Sequence, residues 1–294
     1  MKKIYALSLF LFIHVTVMAQ TAFNITGQIK NLKGEPIESA TVFIDGSKQI
    51  TKSDNTGTFK FYNLSAGTYQ VVVNMIGYKS EKQNVIVRDQ SASISINLQE
   101  KQIMLAEVVI GNNRKREQWL AIFLKNFLGL TPNAEACKIT NTDIIDFSTN
   151  KNFVEAQTED FLEIENPSLG YTIKYLLRAF RYNQLTGITS FDGELIFQEM
   201  MGSAKQIETW KENRKDAYLG SFMHFIRAVY AGKTQQENYT AYEVMNSDQP
   251  MKISKKQFDI PSATIKSDTA LHTLKFKRPL YVMYNKPGSA NSEI

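Results

Sequence analysis

From residue 23 to residue 98 the chain alternates apolar and polar side chains in short runs, each broken by glycine, proline or Asp-Asn chemistry. That rhythm allows little besides stacked β-sheets. Successive side chains of a strand point to opposite faces, so Phe23, Ile25 and Ile29 share one face. Asn31-Leu32-Lys33-Gly34-Glu35-Pro36 then ends the run, because Gly34 can take a positive φ and Pro36 has no amide proton for a ladder. Further strands are expected at 40–44, 57–62, 68–75, 82–87 and 92–98. In the last of these, Ile94, Ile96 and Leu98 alternate with Ser93, Ser95 and Asn97, the pattern of one buried and one wet face. Six or seven strands in this span predict an all-β sandwich.

The turns carry their own chemistry. Asp54-Asn55-Thr56-Gly57 predicts a tight turn in which Asp54 accepts backbone hydrogen bonds and Gly57 takes the left-handed position. Gly67 before Tyr69 and Gly77 before Tyr78 are expected to let the chain bend, with each tyrosine ring packed and its hydroxyl wet. A calcium loop at Asp54 would need further carboxylates that the segment lacks. Five ordered stretches, Gly27-Gln28-Ile29, Gly34 to Val42, Ser53 to Phe59, Leu64 to Tyr69 and Ile76-Gly77-Tyr78, resemble the carboxypeptidase regulatory-like domain, a prealbumin-like sandwich of about seven strands. The resemblance covers about a quarter of the chain. It implies a fold also met at the front of TonB-dependent outer-membrane receptors of Bacteroidetes-type bacteria and behind the catalytic domain of some metallocarboxypeptidases.

Before the sandwich, Lys2 and Lys3 precede a mostly apolar run and then Val17-Met18-Ala19, which predicts a cleaved signal peptide over residues 1–19 and an exported product. The run is short and interrupted by Ser8, His14 and Thr16, so a spanning helix is not expected. Cys137 is the only cysteine, which leaves stability to packing, and the residue is expected to serve as a small apolar side chain rather than a reactive thiol. Hydrophobic residues at 43% and charged residues at 21% match ordinary globular chains, which argues against disorder. With 34 basic and 29 acidic residues, and the one dense basic cluster Arg114-Lys115-Arg116 followed directly by Glu117, no nucleic-acid stripe is indicated.

The sandwich is assigned to residues 20–100, a linker to 101–118 and an α+β domain to 119–294. Within the linker, residues 105–110 resemble the Leu-x-Glu-Val-Val-Val stretch that follows this sandwich in the outer-membrane receptors. The remaining chain holds too few lipid-facing strands for their large barrel. In 119–130, Trp119, Leu120, Phe123, Leu124, Phe127 and Leu128 recur at helical spacing, and Gly129 with Thr131-Pro132 stops the helix. Strands at 143–147, 152–157, 161–165, 171–182 and 190–198 predict an antiparallel meander. Residues 204–231 then read as helical, with Phe222, Phe225, Ile226 and Val229 on one stripe facing a sheet. Residues 271–284 read as a strand or hairpin interrupted by Pro279, and the polar tail after it raises the expectation of a C-terminally truncated form with an open sheet edge.

Arg214, Tyr218, Ser221 and His224 form the nearest thing to a chemical constellation. Ser221 and His224 could approach as nucleophile and base, but no Gly-x-Ser-x-Gly elbow holds the serine and no orienting acid is evident. Past the leader only His224 and His272 remain, and Arg227 stands where a zinc-peptidase glutamate would follow His224, so neither metal nor cofactor is expected. Glu163 to Asn166 with Leu169-Gly170-Tyr171, and Asn213 to Tyr218 with Gly220-Ser221 and His224-Phe225, resemble an uncharacterised C-terminal region found behind the same sandwich in Bacteroidetes-type bacteria. The leading expectation is a non-enzymatic envelope protein of the periplasm or outer-membrane periphery, binding a protein or glycan and able to associate peripherally with a membrane. A hydrolase using Arg214, Ser221 and His224, or Glu163 and Glu165, is one alternative. A carbohydrate-binding module using Tyr62, Tyr69 and Tyr78 is the other.

Overall fold

The computed structural model describes residues 22–101, 113–246, 250–267 and 272–286. The expected signal peptide, most of the expected linker and the polar tail lie outside the described residues. Among the described residues no helix is long and apolar enough to cross a membrane.

Seven strands build the first domain: β1 (Phe23–Asn31), β2 (Thr41–Ile44), β3 (Ile50–Lys52), β4 (Thr58–Leu64), β5 (Gly67–Asn74), β6 (Glu81–Val87) and β7 (Ala92–Leu98). They form two sheets, ordered β4-β1-β7 and β3-β2-β5-β6. β1 runs parallel to β7, and every other pairing is antiparallel. The alternation predicted from sequence places Ile25, Ile29, Phe59, Phe61, Ile96 and Leu98 from one sheet against Val42, Ile44, Val71 and Val73 from the other, all buried. Each fully buried aliphatic side chain contributes about 1.5 to 3 kcal/mol relative to exposure. β3 is the one strand that the alternation did not announce, because three residues are too few to show a period.

The second domain begins with α1 (Asn113–Leu128), so residues 113–118, assigned to the linker from sequence, open a helix instead. The Arg116 guanidinium donates to the carbonyls of Thr142, Asp143 and Ile145, which anchors that first turn. The helix ends before Gly129, whose φ is +90°. A short α2 (Pro132–Glu135) follows, capped by the Thr131 hydroxyl. The sheet then comprises β8 (Lys138–Ile139), β9 (Asp146–Asn150), β10 (Phe153–Gln157), β11 (Leu162–Asn166), β12 (Tyr171–Asn183) and β13 (Thr189–Glu199). It is not a simple meander. The 13-residue β12 is a spine whose one edge pairs with β11 and, further along, with β10, while β13 covers its other edge. α1 packs on one face of this sheet, with Phe123 fully buried beside Phe127, Phe180 and Tyr175.

The helical stretch expected over 204–231 is two helices, α3 (Ala204–Tyr218) and α4 (Phe222–Ala231). Gly220, with φ +81°, and the Ser221 cap break it. β14 (Tyr239–Asn246), β15 (Lys252–Gln257), a four-residue α5 (Ile260–Ala263), β16 (Thr264–Lys266), β17 (His272–Leu274) and β18 (Leu280–Tyr284) are the last elements among the described residues. β15, β14 and β18 form one sheet and β16 and β17 another, so residues 271–284 are not a hairpin but two strands in separate sheets. α4 packs on the three-stranded sheet through Phe225, Ala228 and Val229 against Tyr239 and Ala241, whereas Phe222 and Ile226, expected on the same stripe, are exposed.

The two domains share an interface built on both edge and face. Asp45, Gly46 and Ser47, in the turn after β2, lie along β13: Gly46 N donates to Leu195 O at 2.9 Å, Phe197 N to Ser47 O at 2.9 Å, and Leu195 N to Asp45 Oδ1 at 2.8 Å. Beside this ladder, Phe43 and Val72 point out of the sandwich and are fully buried against Ile196 and Phe161. The Glu194 side chain, 1% exposed, accepts from Arg178 Nε at 2.6 to 2.7 Å and from Lys82 Nζ of the sandwich at 3.1 Å. Arg178 also reaches the Ser80 carbonyl at 3.3 Å.

Candidate functional site

Arg214, Tyr218, Ser221 and His224, grouped by sequence, occupy two different settings. Arg214 faces the turn that joins β11 to β12. Its Nε donates to Leu169 O at 2.6 Å and its Nη2 to Gly170 O at 2.9 Å, while its plane lies 3.8 Å from the centre of the Tyr171 ring. On the same helix the adjacent Asn213 donates to Ser168 O at 2.8 Å and, one turn earlier, Trp210 Nε1 donates to Pro167 O at 2.8 Å. Four consecutive carbonyls of this turn are thus read by three side chains of one helix. Gly170, with φ +64°, is required here, since a Cβ would stand 2.1 Å from Trp210 Cδ2. The third Arg214 nitrogen meets Glu199 at 3.1 Å, and Glu199 also meets Lys48 of the sandwich at 2.5 Å. These cations hold the Glu199 carboxyl below its ordinary pKa, with the Lys48 hydrogen bond as the largest cause.

Ser221 and His224 sit at the start of α4. The Ser221 hydroxyl accepts the His224 backbone N–H at 3.1 Å, the ordinary service of an N-cap serine. The His224 ring is buried, with Nδ1 accepting Gly220 N–H at 3.1 Å and Nε2 lying 3.2 Å from Glu237 Oε2. An accepting Nδ1 places the ring proton on Nε2, which then donates to the carboxylate. Tyr218, Tyr239 and Tyr284 surround the imidazole at centroid distances of 4.9, 5.1 and 5.6 Å. Burial and the neighbouring Tyr284 push the Tyr239 phenol above its ordinary pKa. Both ring nitrogens are engaged away from Ser221, and the cluster works as packing between α4 and β14.

In the sandwich, Asp54 Oδ1 accepts from Thr56 N at 2.8 Å, Thr58 N at 2.9 Å and the Thr56 hydroxyl at 2.7 Å. Those bonds hold its carboxyl below the usual value, the Thr56 hydroxyl being the largest cause. Gly57, with φ +74°, leaves room for Ile29 O, which a Cβ would meet at 2.4 Å. Gly77 has φ +84° in the turn after β5. Gly67 opens β5 without a positive φ, and a Cβ there would meet only the Tyr69 ring at 3.8 Å. The Tyr69 hydroxyl is engaged too, donating to Ser65 O at 2.7 Å. Tyr62 is exposed with Lys60 over its ring, whereas Tyr69 and Tyr78 pack on the core, so the three do not make one sugar platform. Glu163 faces Lys174 at 3.8 Å on the exposed side of β11. Among the described residues no group of three or more His, Cys, Asp or Glu is placed to hold a metal ion. Cys137 packs on the second core, and burial raises its thiol pKa.

Sequence reasoning missed two features. The interdomain residues Phe43, Val72, Ile196 and Glu194 were not singled out, although Val42-Phe43-Ile44 and Val71-Val72-Val73 break the alternation as strands buried on both faces do. The other is a shallow pocket of about 210 Å³ between Thr234, Tyr239, Phe258, Asp259 and Ile260. It has no sequence signature.

The fold is therefore a seven-stranded β-sandwich followed by a domain of antiparallel sheets and a few helices. Residues 25–110, less than a third of the chain, match the CarboxypepD_reg-like domain family. No curated protein matches the chain. Among solved structures, it is similar to a type II cohesin–X-dockerin complex from Acetivibrio cellulolyticus, at 25% identity over 26% of this chain and 56% of that one, with a TM-score of 0.23. It is also similar to the shaft pilin SpaA from Lactobacillus rhamnosus GG, at 16% identity over 29% and 48% of the two chains, with a TM-score of 0.25. A third likeness is to 3-chlorocatechol 1,2-dioxygenase from Rhodococcus opacus 1CP, at 8% identity over 27% and 60%, with a TM-score of 0.23. The chain thus spans about half the length of the structures it matches, and likenesses this partial carry no inference about activity.

Proposed function

We propose that this chain is an exported, non-enzymatic envelope protein that acts as a binding or assembly module in the periplasm or at the outer-membrane periphery. The observation that carries the reading is the engagement of His224: both ring nitrogens are held, by Gly220 and Glu237, and the ring is sealed among three tyrosines. Ser221 caps a helix and Arg214 clamps a turn, so the residues with the best chemical credentials act as scaffold. The family match at residues 25–110 supports a regulatory or accessory role for the sandwich rather than a catalytic one. The resemblance of the leader and of residues 105–110 to exported and receptor-associated sequences supports the location.

The test is a panel of peptide, ester and glycoside substrates with purified protein, alongside Ser221→Ala and His224→Ala. No turnover above buffer, together with a reproducible protein or glycan partner recovered from an envelope fraction, is the expected outcome. Turnover that disappears in Ser221→Ala, with the fold intact by circular dichroism, would replace this reading with a hydrolase.

A further inference from the structure

α4 is apolar on two sides. At about 100° per residue, His224, Phe225, Ala228 and Val229 form the buried side, which packs on β14 and its neighbours. Phe222, Met223, Ile226 and Tyr230 fall within a separate arc of about 100°, and they are exposed, Phe222 by 77% and Met223 by 54%. Only Arg227 among the ten residues of the helix carries a full charge. A surface helix ordinarily turns polar residues outward, and one that is apolar all round is ordinarily covered. The outward stripe of α4 therefore needs an occupant.

The charge of the segment that carries it says which kind. Between residues 219 and 286 stand ten Lys and Arg against five Asp and Glu, an excess equal to the whole chain's net charge of +5. No acidic residue occurs from 217 to 236, a stretch that contains Arg227 and Lys233. Tyr230, at the far end of the stripe, stacks on His272 at 4.2 Å, and His272 is paired across strands with Lys266. Cations thus fringe an apolar, convex helix face. A second copy of this chain would bring like charges against one another, whereas an anionic surface would neutralise them.

We infer that α4 docks this protein on an anionic lipid surface, with Phe222, Met223 and Ile226 entering the headgroup boundary and Arg227, Lys233 and Lys266 meeting lipid phosphates. The inference deepens the reading of the chain as a binding module. It can fail while a protein partner is still found, and it can hold while the search for one fails.

The test uses the full mature chain with vesicles of phosphatidylcholine, alone or with about a third phosphatidylglycerol in the manner of an anionic leaflet. Binding is read by co-sedimentation and by the emission of a Phe222→Trp variant. We expect binding to the anionic vesicles only, a blue shift of the new tryptophan, and a loss of at least about tenfold in Phe222→Ser/Ile226→Ser and on raising salt. Circular dichroism melting of the double variant, and a parallel Arg227→Gln variant, separate loss of docking from loss of fold. Equal binding to neutral vesicles, no binding to either, or binding untouched by these substitutions would overturn the inference. So would a dimer in sedimentation velocity that Phe222→Ser/Ile226→Ser dissolves, or an acidic protein that occupies the stripe in place of lipid.

Discussion

At the scale of single residues, the chemically suggestive groups are explained by what they hold. Ser221→Ala removes an N-cap and should cost about 1 kcal/mol. His224→Ala leaves the Gly220 amide without its acceptor in a partly buried site and should cost about 1 to 3 kcal/mol. Urea unfolding measures both, and the proposed function expects no loss of partner binding beyond that of the fold. Tyr175 offers a pH test. Burial, with the nearby Asp192, Glu194 and Asp45 carboxylates, pushes its phenol up to about 12. The unfolded value is about 10, so over that window the folded chain keeps a proton that the unfolded chain has lost. Stability present below the unfolded value is therefore lost as pH rises toward the folded one. Melting temperatures between pH 8 and pH 12 should fall less steeply in Tyr175→Phe than in the parent; equal slopes would assign the loss to other groups.

At the scale of elements, α1 is the most exposed to a single change. Phe123 is fully buried, stacks on Phe127 at 4.8 Å and meets Phe180 edge-on at 4.9 Å. Phe123→Ala should cost about 3 to 5 kcal/mol, seen as a lower urea midpoint with the slope unchanged. This helix and six of the seven sandwich strands were legible in sequence because each is written in a local period, β12 was legible as a long run between turn residues, and β3 is too short to show a period. The break between α3 and α4 was harder to read. Apolar spacing continues through Leu219 and Phe222, and only Gly220 with the following cap serine signals the stop. The candidate site was legible as residues but not as geometry. Arg214 and His224 are ten positions apart on what reads as one helical run, yet the bend at Gly220 gives them separate partners. Pairings such as that of β10 and β11 with one edge of β12 depend on distant residues, and no local pattern encodes them.

At the scale of the whole molecule, the sandwich and the second domain are tied by more than a connecting segment. Backbone bonds from Gly46 and Ser47 extend the second sheet, Phe43 and Val72 fill the face beside it, and Glu194 sits buried between Arg178 and Lys82. A buried carboxylate held by two cations adds little net stability over an apolar pair, but removal of the shared partner strands the others. Arg178 already has its Nη2 buried without a hydrogen-bond acceptor, so Glu194→Ala would leave a guanidinium with little compensation. The expected cost is about 3 to 5 kcal/mol, and it falls on the interface rather than on either core. Parent protein should unfold in one transition, with tryptophan fluorescence, which reports Trp119 and Trp210 of the second domain, coinciding with far-ultraviolet circular dichroism, which reports both domains. In Glu194→Ala the two probes should separate, as domains that no longer share an interface melt independently. Coincident transitions in the variant would mean that the β13 ladder and the Phe43–Val72 face couple the domains without the ion cluster, and a split already present in the parent would mean that the interface does not couple them.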